Sequence, residues 1–487
     1  MNNSNERYYC KACTAHFYNK EEYYNHVETK EHRIHFNKEQ NELITAILKM
    51  LKSEIKSIRC NSPGGTGKSY VLTNNTCGYD VLYIAPSNAA CHVLRKNGAK
   101  IVKTYAQAFG WSQDYDEKGN AESVYDALKF TNFSKYRIVV IDEISMLNSM
   151  CYSLFYEFIH LKGIPYILLG DYCQLPPIEV GKSRVVNHEL SQVFEKDENI
   201  SLFFNHDVEE DIVLIENKRL TDPENPLRLN IEKIRDDIST ETKCVLEHNF
   251  TITKASILRF KDKEAIFLAY TNAVVKKLNN FIRRIYFPET YHEEWNIYER
   301  IIMNSSYKAE IINPEANKEG KIFKFMFLNT SEIYNISSIT EIEKTIEGTK
   351  FNVYKMVLDQ KYIIYKLMKK DFDTLKKFKK DKKDEILALK DKQKQREEFR
   401  KLNMQTLPQI DCSIGYCYAV TVHKAQGSSF QNTIVAVEDF TDKDVTKNNK
   451  LLYTAVSRTR ENCYLANNPT NKKYRDERAL VIKGYRD

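Results

Sequence analysis

A glycine-rich stretch in the first quarter of the chain has the residue types and spacing that bind nucleotide phosphates. It reads Ser62-Pro63-Gly64-Gly65-Thr66-Gly67-Lys68-Ser69 and follows an apolar lead-in, Ile55 to Ile58, that predicts a strand. In such a turn the backbone N–H groups and the start of the next helix face the β-phosphate. The lysine then reaches the β- and γ-phosphates, and the serine hydroxyl ligates Mg²⁺. The stretch predicts a nucleoside triphosphate and Mg²⁺ site, although Ser62 stands where the pattern has a glycine free to adopt positive φ.

Two later strands are predicted to end in side chains that complete a hydrolysis site. Val139-Val140-Ile141-Asp142-Glu143 is an apolar run that ends in two acids, an arrangement in which Asp142 holds Mg²⁺ and Glu143 polarises the attacking water. The next apolar run ends at Asp171, and the loop after it carries Gln174, which is suited to sensing the γ-phosphate. Strands that alternate with helical patterns and carry chemistry at their carboxyl ends predict a parallel α/β sheet.

Further motifs occur in order along the chain, and the one that begins at Thr421 is the most specific. They are Phe36-Asn37-Lys38-Glu39-Gln40, Ala85-Pro86-Ser87-Asn88-Ala89-Ala90, Lys103-Thr104-Tyr105-Ala106-Gln107-Ala108-Phe109-Gly110, Leu169-Gly170-Asp171-Tyr172-Cys173-Gln174-Leu175-Pro176-Pro177, Glu216-Asn217-Lys218-Arg219, Thr421-Val422-His423-Lys424-Ala425-Gln426-Gly427-Ser428-Ser429 and Tyr453-Thr454-Ala455-Val456-Ser457-Arg458-Thr459-Arg460. Together with the phosphate-binding stretch, they resemble superfamily 1 helicases of the B type, which include the RecD, Dda and PIF branches. The resemblance covers roughly residues 36 to 465, and Tyr105 departs from it because the family often has His there.

The resemblance implies an ATP- and Mg²⁺-dependent helicase that translocates 5′ to 3′ on single-stranded DNA and unwinds duplexes. Gln40 would read the adenine, and Arg219 and Arg458 would reach the γ-phosphate. The remaining nucleotide contacts are expected from Gly65, Thr66, Gly67, Lys68, Ser69, Asp142 and Gly427. The expected strand contacts are Pro86, Ser87, Asn88, Thr104, Phe109, His423 and Lys424. If the two arginines come from a second lobe, the site forms only when two lobes close, and that cycle would drive translocation.

The N-terminal residues have the spacing of a zinc site. Two residues separate Cys10 from Cys13, twelve separate Cys13 from His26, and five separate His26 from His32. Two thiolates and two imidazoles suit tetrahedral Zn²⁺, and the pattern resembles Cys2His2 fingers. A module this small needs the metal for its stability. We expect it to serve docking or affinity, through nucleic acid or a protein partner.

The motif positions predict the domain organisation. We expect a zinc finger over 1–35, a first RecA-like lobe over 36–212 with a strand-separating pin near 113–129, and a second lobe over 213–289 and 411–487. Residues 290–410 would interrupt the second lobe with a β-prone region, which the resemblance implies is a small barrel, followed by a lysine-rich helical arm. The predicted fold class is therefore α/β, with two parallel-sheet lobes.

Composition restricts the function less than the motifs do. The net charge of +7 over 487 residues argues only weakly for nucleic acid, and aromatic residues make up 12% of the chain, which suits base stacking. The 11 cysteines with no second metal spacing indicate a reducing compartment, and no signal peptide or membrane span is predicted. We therefore expect an intracellular protein. Two alternatives stay open: an RNA helicase or remodeller, distinguished by comparing DNA and RNA as ATPase activators, and a zinc-finger adaptor with a non-productive motor.

Overall fold

The structure, a computed structural model, describes residues 8–10, 12–17, 20–76, 79–177, 183–186, 202–246, 249–261, 265–313, 322 and 324–466. The α-helices there are α1 (Lys20–Glu28), α2 (Lys30–Arg33), α3 (Lys38–Leu51), α4 (Lys68–Asn75), α5 (Asn88–Asn97), α6 (Tyr105–Ala108), α7 (Ser149–Phe155), α8 (Pro226–Ser239), α9 (Lys254–Leu258), α10 (Asn272–Tyr286), α11 (Phe372–Leu387), α12 (Lys392–Lys401), α13 (Val422–Ala425) and α14 (Val445–Ser457).

The strands are β1 (Tyr8–Cys10), β2 (Ala15–Phe17), β3 (Ser57–Asn61), β4 (Val81–Ala85), β5 (Ile101–Thr104), β6 (Trp111–Tyr115), β7 (Ala121–Asp126), β8 (Ile138–Ile141), β9 (Tyr166–Gly170), β10 (Ser183–Val186), β11 (Glu210–Ile212), β12 (Ala265–Ala269), β13 (Arg300–Met303), β14 (Tyr307–Ile311), β15 (Phe325–Leu328), β16 (Ile333–Ile346), β17 (Thr349–Leu358), β18 (Tyr362–Leu367), β19 (Ile414–Tyr416), β20 (Ala419–Thr421), β21 (Phe430–Ala436) and β22 (Thr459–Ala466). Chain contacts divide the described residues into two units. The first takes those within 1–112, 124–244 and 442–457, and the second takes the rest.

The first unit is built on a six-stranded parallel sheet in the order β11-β3-β9-β8-β4-β5. Strands β4, β8 and β9 are buried along their whole length, as a parallel sheet covered on both faces requires. Because all six strands run in the same direction, their carboxyl ends lie along one edge. The phosphate-binding stretch, residues 86–88, the two acids and the Gln174 loop therefore all follow strands at that edge.

The second unit contains two sheets. One is parallel, in the order β20-β12-β21-β22, with α10 packed on it in one apolar core. The other is antiparallel and has the order β15-β14-β18-β17-β16-β13-β19. Helices α11 and α12 lie between β18 and β19 in the chain. The predicted fold class, α/β with two parallel RecA-like sheets, is confirmed.

The predicted domain boundaries differ from this division in both lobes. The second lobe is predicted over 213–289 and 411–487, but residues 213–244 and 442–457 belong to the first unit, and residues 113–123 of the predicted first lobe belong to the second unit. The cause is non-local pairing: β11 joins the first sheet beside β3, and α8 packs against α14. The insertion near 113–129 falls on the β6–β7 hairpin, and the predicted arm falls on α11 and α12. Residues 467–487 of the predicted second lobe lie outside the described residues. No helix in the described part of the chain is long and apolar enough to cross a membrane.

Candidate functional site

The phosphate-binding stretch forms a tight loop between β3 and α4. Gly65 and Gly67 have φ of 90° and 87°, a region that glycine adopts without steric cost. The Nζ atom of Lys68 donates hydrogen bonds to the Ser62 carbonyl at 2.5 Å and to the Pro63 carbonyl at 2.9 Å, which holds the ammonium across the loop. The loop therefore has the backbone conformation that its residues predict.

Ser62 enters this loop without a positive φ and is fixed by its own hydrogen bonds. Its N–H donates to the Gly170 carbonyl at 2.9 Å, and its hydroxyl accepts from the Leu214 N–H at 2.7 Å. The side chain is buried. A serine therefore serves at this position because its hydroxyl satisfies a buried backbone donor that follows β11, which a glycine could not do.

Gln40 lies directly against the loop. Its side chain and that of Asn37 form a capping box at the start of α3, and its Nε2 donates to the Thr66 carbonyl at 3.0 Å. A Cβ on Gly67 would lie 3.0 Å from the same Nε2. The structure thus brings together the predicted adenine-reading glutamine and the loop, while the role of Gln40 toward adenine stays a prediction.

The two acids lie at the end of β8. Asp142 is buried, and the N–H of Glu143 donates to its Oδ1 at 3.0 Å. Burial, with the neighbouring Glu143, raises the pKa of Asp142 to about 7, and Lys68 acts in the opposite direction. Glu143 has φ of 52°, an uncommon conformation for this residue type and one that clusters at functional sites. Because burial disfavours the charged form of this carboxyl, a bound cation would stabilise its carboxylate.

Gln174 is held in a buried loop after β9. Its Oε1 atom is buried and accepts no hydrogen bond from the residues that the structure describes, which makes it a ready acceptor for a water or a ligand group. The Asp171 carboxylate anchors the loop by accepting from Arg235 Nη1 at 2.8 Å and from the Tyr453 hydroxyl. Arg235 lies in α8, outside every motif, so no sequence pattern predicted its contact with Asp171.

Arg219 belongs to the first unit and packs on the phosphate-binding loop. The N–H of Lys218 donates to the Gly65 carbonyl at 2.9 Å, and a Cβ on Gly65 would lie 3.1 Å from the Cβ of Arg219. The guanidinium donates to the Ser457 carbonyl at 3.4 Å. The expectation that Arg219 comes from the second lobe is wrong, because the chain up to residue 244 stays with the first unit.

Arg458 belongs to the second unit, as predicted for an arginine of the other lobe. It is buried, donates from Nη1 to the Ser428 carbonyl at 3.5 Å, and accepts from the Phe430 N–H at 2.8 Å through its own carbonyl. Gly427 precedes these residues with φ of 75°. The motif ending at Ser429 and the motif carrying Arg458 therefore meet in this unit.

The predicted strand contacts of the first unit follow β4 and β5. Pro86 and Asn88 flank Ser87, whose hydroxyl caps α5, and Thr104 caps α6. Phe109 is fully buried against Phe130 and Phe133, so its ring faces the core and is not available for base stacking. This corrects its predicted role. The neighbouring Trp111, by contrast, is 42% exposed.

In the second unit, Lys424 lines a cleft of about 260 Å³ whose other polar lining includes Asn272, Lys276, Asn279, Asn280 and Asn304. The Lys424 ammonium donates to Asn304 Oδ1 at 2.7 Å, and burial lowers its pKa. His423, one residue earlier on α13, lies beside Tyr270 with ring centroids 6.2 Å apart. The motifs in the sequence did not point to these asparagines.

The four predicted zinc ligands converge. One donor atom from each of Cys10, Cys13, His26 and His32 lies within 4.8 Å of the others, and His32 Nδ1 is 3.4 Å from Cys10 Sγ and 3.5 Å from Cys13 Sγ. Tetrahedral zinc with these ligands would place the donor atoms roughly 3.3–3.8 Å apart. His26 Nε2 is buried and unpartnered, and burial lowers the pKa of His32 to about 4, which leaves the neutral form that metals bind. The cluster fits zinc.

The chain is similar to several known proteins. The family model described as an AAA domain matches residues 35–196, and the model described as a UvrD-like helicase C-terminal domain matches residues 416–466. The ATP-dependent DNA helicase dda of Enterobacteria phage T4 is 24% identical over 470 residues, which cover 86% of this chain and 97% of that protein. The RecBCD enzyme subunit RecD of Buchnera aphidicola is 22% identical over 461 residues, covering 86% and 66%.

Solved structures with similar folds include the Pif1 helicase from Bacteroides in complex with ADP-AlF3 and ssDNA. It has a TM-score of 0.45 and 16% identity, and the match covers 91% of this chain and 97% of that one. The Pif1 helicase from Candida albicans has a TM-score of 0.43 and 12% identity, with 92% and 99% covered. The two matched domains and the curated relatives support the resemblance to the superfamily 1 helicases of the B type.

Proposed function

We propose that this protein is an ATP- and Mg²⁺-dependent DNA helicase that translocates 5′ to 3′ on single-stranded DNA. The observation that carries the proposal is the convergence of one phosphate-binding loop with its functional companions in the first unit. Lys68, Asp142, Gln174 and Arg219 all follow or pack on strands β3, β8, β9 and β11 at one sheet edge. The names of the relatives supply the substrate, and the direction rests on the family resemblance.

Each residue has a defined task in hydrolysis. The Lys68 ammonium would leave the Ser62 and Pro63 carbonyls and neutralise β- and γ-phosphate charge, and Arg219 would add a second positive charge. Glu143 would orient and polarise the attacking water, with the unpartnered Gln174 Oε1 as a second acceptor for it. Ser69 and Asp142 would hold Mg²⁺, which would supply positive charge to offset the negative charge that develops on the phosphates.

Strand binding is assigned to one surface in each unit. The helix caps after β4 and β5, with exposed Trp111, would contact the backbone and stack a base. The cleft of the second unit offers Lys424 and several carboxamides, which can bind phosphate and sugar groups without reading sequence. Sequence-tolerant contacts of this type suit an enzyme that moves along any strand.

The Cys10, Cys13, His26 and His32 cluster is proposed to hold one structural zinc ion. The apolar core beside it consists of Cys10, Tyr23 and Val27 with a few partly buried neighbours, which is too small to fold the segment alone. Four protein ligands leave no open coordination position, so the ion would be structural and not catalytic.

The test of the motor is strand displacement on duplexes with either a 5′ or a 3′ single-stranded DNA tail. Unwinding of the 5′-tailed duplex alone is expected, and Lys68→Ala should abolish it. Glu143→Gln should bind ATP but not turn it over, because it keeps the side-chain size and loses the basic oxygen. Unwinding from the 3′ tail alone would overturn the direction, and ATPase activation by RNA but not by DNA would favour an RNA substrate.

A further inference from the structure

We propose that the metal cluster and the nucleotide site are coupled through helix α4, with Asn75 as the positioning residue that joins them. The inference rests on the proposed zinc and ATP sites. Helix α4 begins at the phosphate-binding residues Lys68 and Ser69 and ends at Asn75. Eight residues of α-helix span about 12 Å, so the two sites lie at opposite ends of one short rigid element.

Asn75 contacts a zinc ligand directly. Its Oδ1 lies 3.0 Å from His32 Nε2, the ring nitrogen opposite the Nδ1 that faces both cysteines. An acceptor on Nε2 keeps the proton there and leaves the lone pair of Nδ1 for the metal, and such partners commonly tune metal affinity. Asn75 Nδ2 in turn donates to the Val71 carbonyl at 2.7 Å, so the side chain is fixed to its own helix.

Two further contacts join the same module to α4. The fully buried Tyr23 of α1 donates its hydroxyl to the Asn74 carbonyl in the last turn of α4. The His32 ring packs on Phe36, with centroids 5.1 Å apart, and Phe36 lies 6.2 Å from Tyr70 in the first turn of α4. The module therefore contacts the C-terminal end of α4 directly and its first turn through Phe36.

The exposed face of α1 is poorly suited to nucleic acid. The exposed charged side chains that the structure describes on α1 are Glu21, Glu22 and Glu28, of which Glu28 pairs with Lys52. Carboxylates repel phosphate, so the face of α1 disfavours binding to nucleic acid and does not bear on docking to a protein. The buried side, with Tyr23, Val27 and His32, instead packs within the first unit.

A metal that orders this module would restrict α4, and α4 presents the first N–H groups of the phosphate site. Binding at either site should then strengthen binding at the other by the same factor, because coupling free energies are reciprocal. We expect a factor of at least about fivefold, the lower end of typical coupling.

The experiment measures the coupling from both sides with the full chain. Zinc affinity is determined by competition with a chromogenic chelator, with and without Mg²⁺ and a non-hydrolysable ATP analogue. Affinity for a fluorescent form of that analogue is determined with and without zinc. Both ratios should agree, at about fivefold or more. Equal zinc affinities with and without nucleotide, in a protein that still unwinds 5′-tailed duplexes, would overturn the coupling and leave the motor assignment intact.

A matched pair of substitutions isolates Asn75. Asn75→Leu and Asn75→Asp both lose the donor to Val71, but only Asp keeps an acceptor for His32 Nε2–H. We expect Leu to weaken zinc binding and remove the coupling, and Asp to retain both. Asn74→Ala is the control, since this neighbouring side chain donates to the Tyr70 carbonyl and not to a metal ligand. Thermal denaturation confirms that each variant is folded. Equal coupling in the Leu and Asp variants would overturn the role of Asn75, and a wild-type chain that retains no zinc would overturn the zinc assignment and the coupling with it.

Discussion

The β6–β7 hairpin is held by the helical arm, and replacing Arg400 with alanine should release it. Arg400 on α12 donates from Nε and Nη2 to the two carboxylate oxygens of Asp114, at 3.0 and 2.8 Å. The Asp114 side chain is 9% exposed and that of Arg400 is 53% exposed. Beside this pair, Phe399 packs so closely on the hairpin turn that a Cβ on Gly119 would lie 2.8 Å from its ring.

The expected magnitude follows from that geometry. Hydrogen bonds that involve charged groups contribute about 1.5–3 kcal/mol, and the alanine variant also leaves a buried carboxylate without its cation. This corresponds to a decrease of about 10- to 150-fold in the equilibrium constant for the docked hairpin. If the hairpin separates the strands, unwinding should fall while ATPase activity stimulated by single-stranded DNA stays near the wild-type value.

Strand displacement and ATPase rates are measured side by side for Arg400→Ala, Asp114→Ala and the double variant. The double variant should lose little more than either single one, because both remove the same interaction. Lys401→Ala is the control, since its exposed ammonium lies 3.8 Å from Glu398 of the same helix. Unchanged unwinding by Arg400→Ala, or an equal loss of ATPase activity, would refute the reasoning.

Three further predictions concern the first unit. Phe109→Ala should lower the free energy of unfolding by about 3–5 kcal/mol because the ring is fully buried. Trp111→Ala should instead lower single-stranded DNA affinity and leave stability nearly unchanged. Denaturant titration measures the first effect and fluorescence anisotropy with labelled DNA measures the second. Ser62→Ala should cost about 1–3 kcal/mol, because the buried Leu214 N–H loses its acceptor, and unchanged stability in denaturant would contradict this. Burial lowers the pKa of His206 to about 4, so the folded state favours the neutral ring and the unfolded chain binds more protons. The melting temperature should therefore fall as the pH drops from about 6.5 toward 4. His206→Gln should reduce this dependence of the melting temperature on pH.

The nucleotide site could be predicted from the sequence because its parts are local. An apolar run of this length predicts one buried strand. The polar residue that follows the run then lies at the carboxyl end of that strand, at one known edge of the sheet. Lys68, Asp142 and Gln174 each follow such a run, and β3, β8 and β9 are neighbours in one sheet. The cluster proposed to hold zinc was equally accessible, since the spacing of its cysteines and histidines is itself the signal.

Phe109 could not be placed correctly, because the burial of an aromatic ring depends on partners distant in the chain. The Phe109 ring contacts Phe130 and Phe133, which lie more than twenty residues later in the chain and outside any motif. The ring was therefore assigned to the strand surface on its motif position alone. Asn304 could not be predicted for a related reason. It contacts Lys424, from which it is separated by 120 positions in the sequence, and only the fold of the antiparallel insertion brings the two together.

The position of Arg219 changes how the catalytic cations should be understood. We expected both arginines to arrive from a second lobe, yet Arg219 follows β11, a strand of the same sheet as the phosphate-binding loop. The Lys218 N–H to Gly65 carbonyl bond fixes the backbone beside Arg219 from within one unit. The placement of Arg219 is therefore set within the first unit, by contacts to the phosphate-binding loop. Arg458 belongs to the second unit, and its role toward the γ-phosphate stays a prediction.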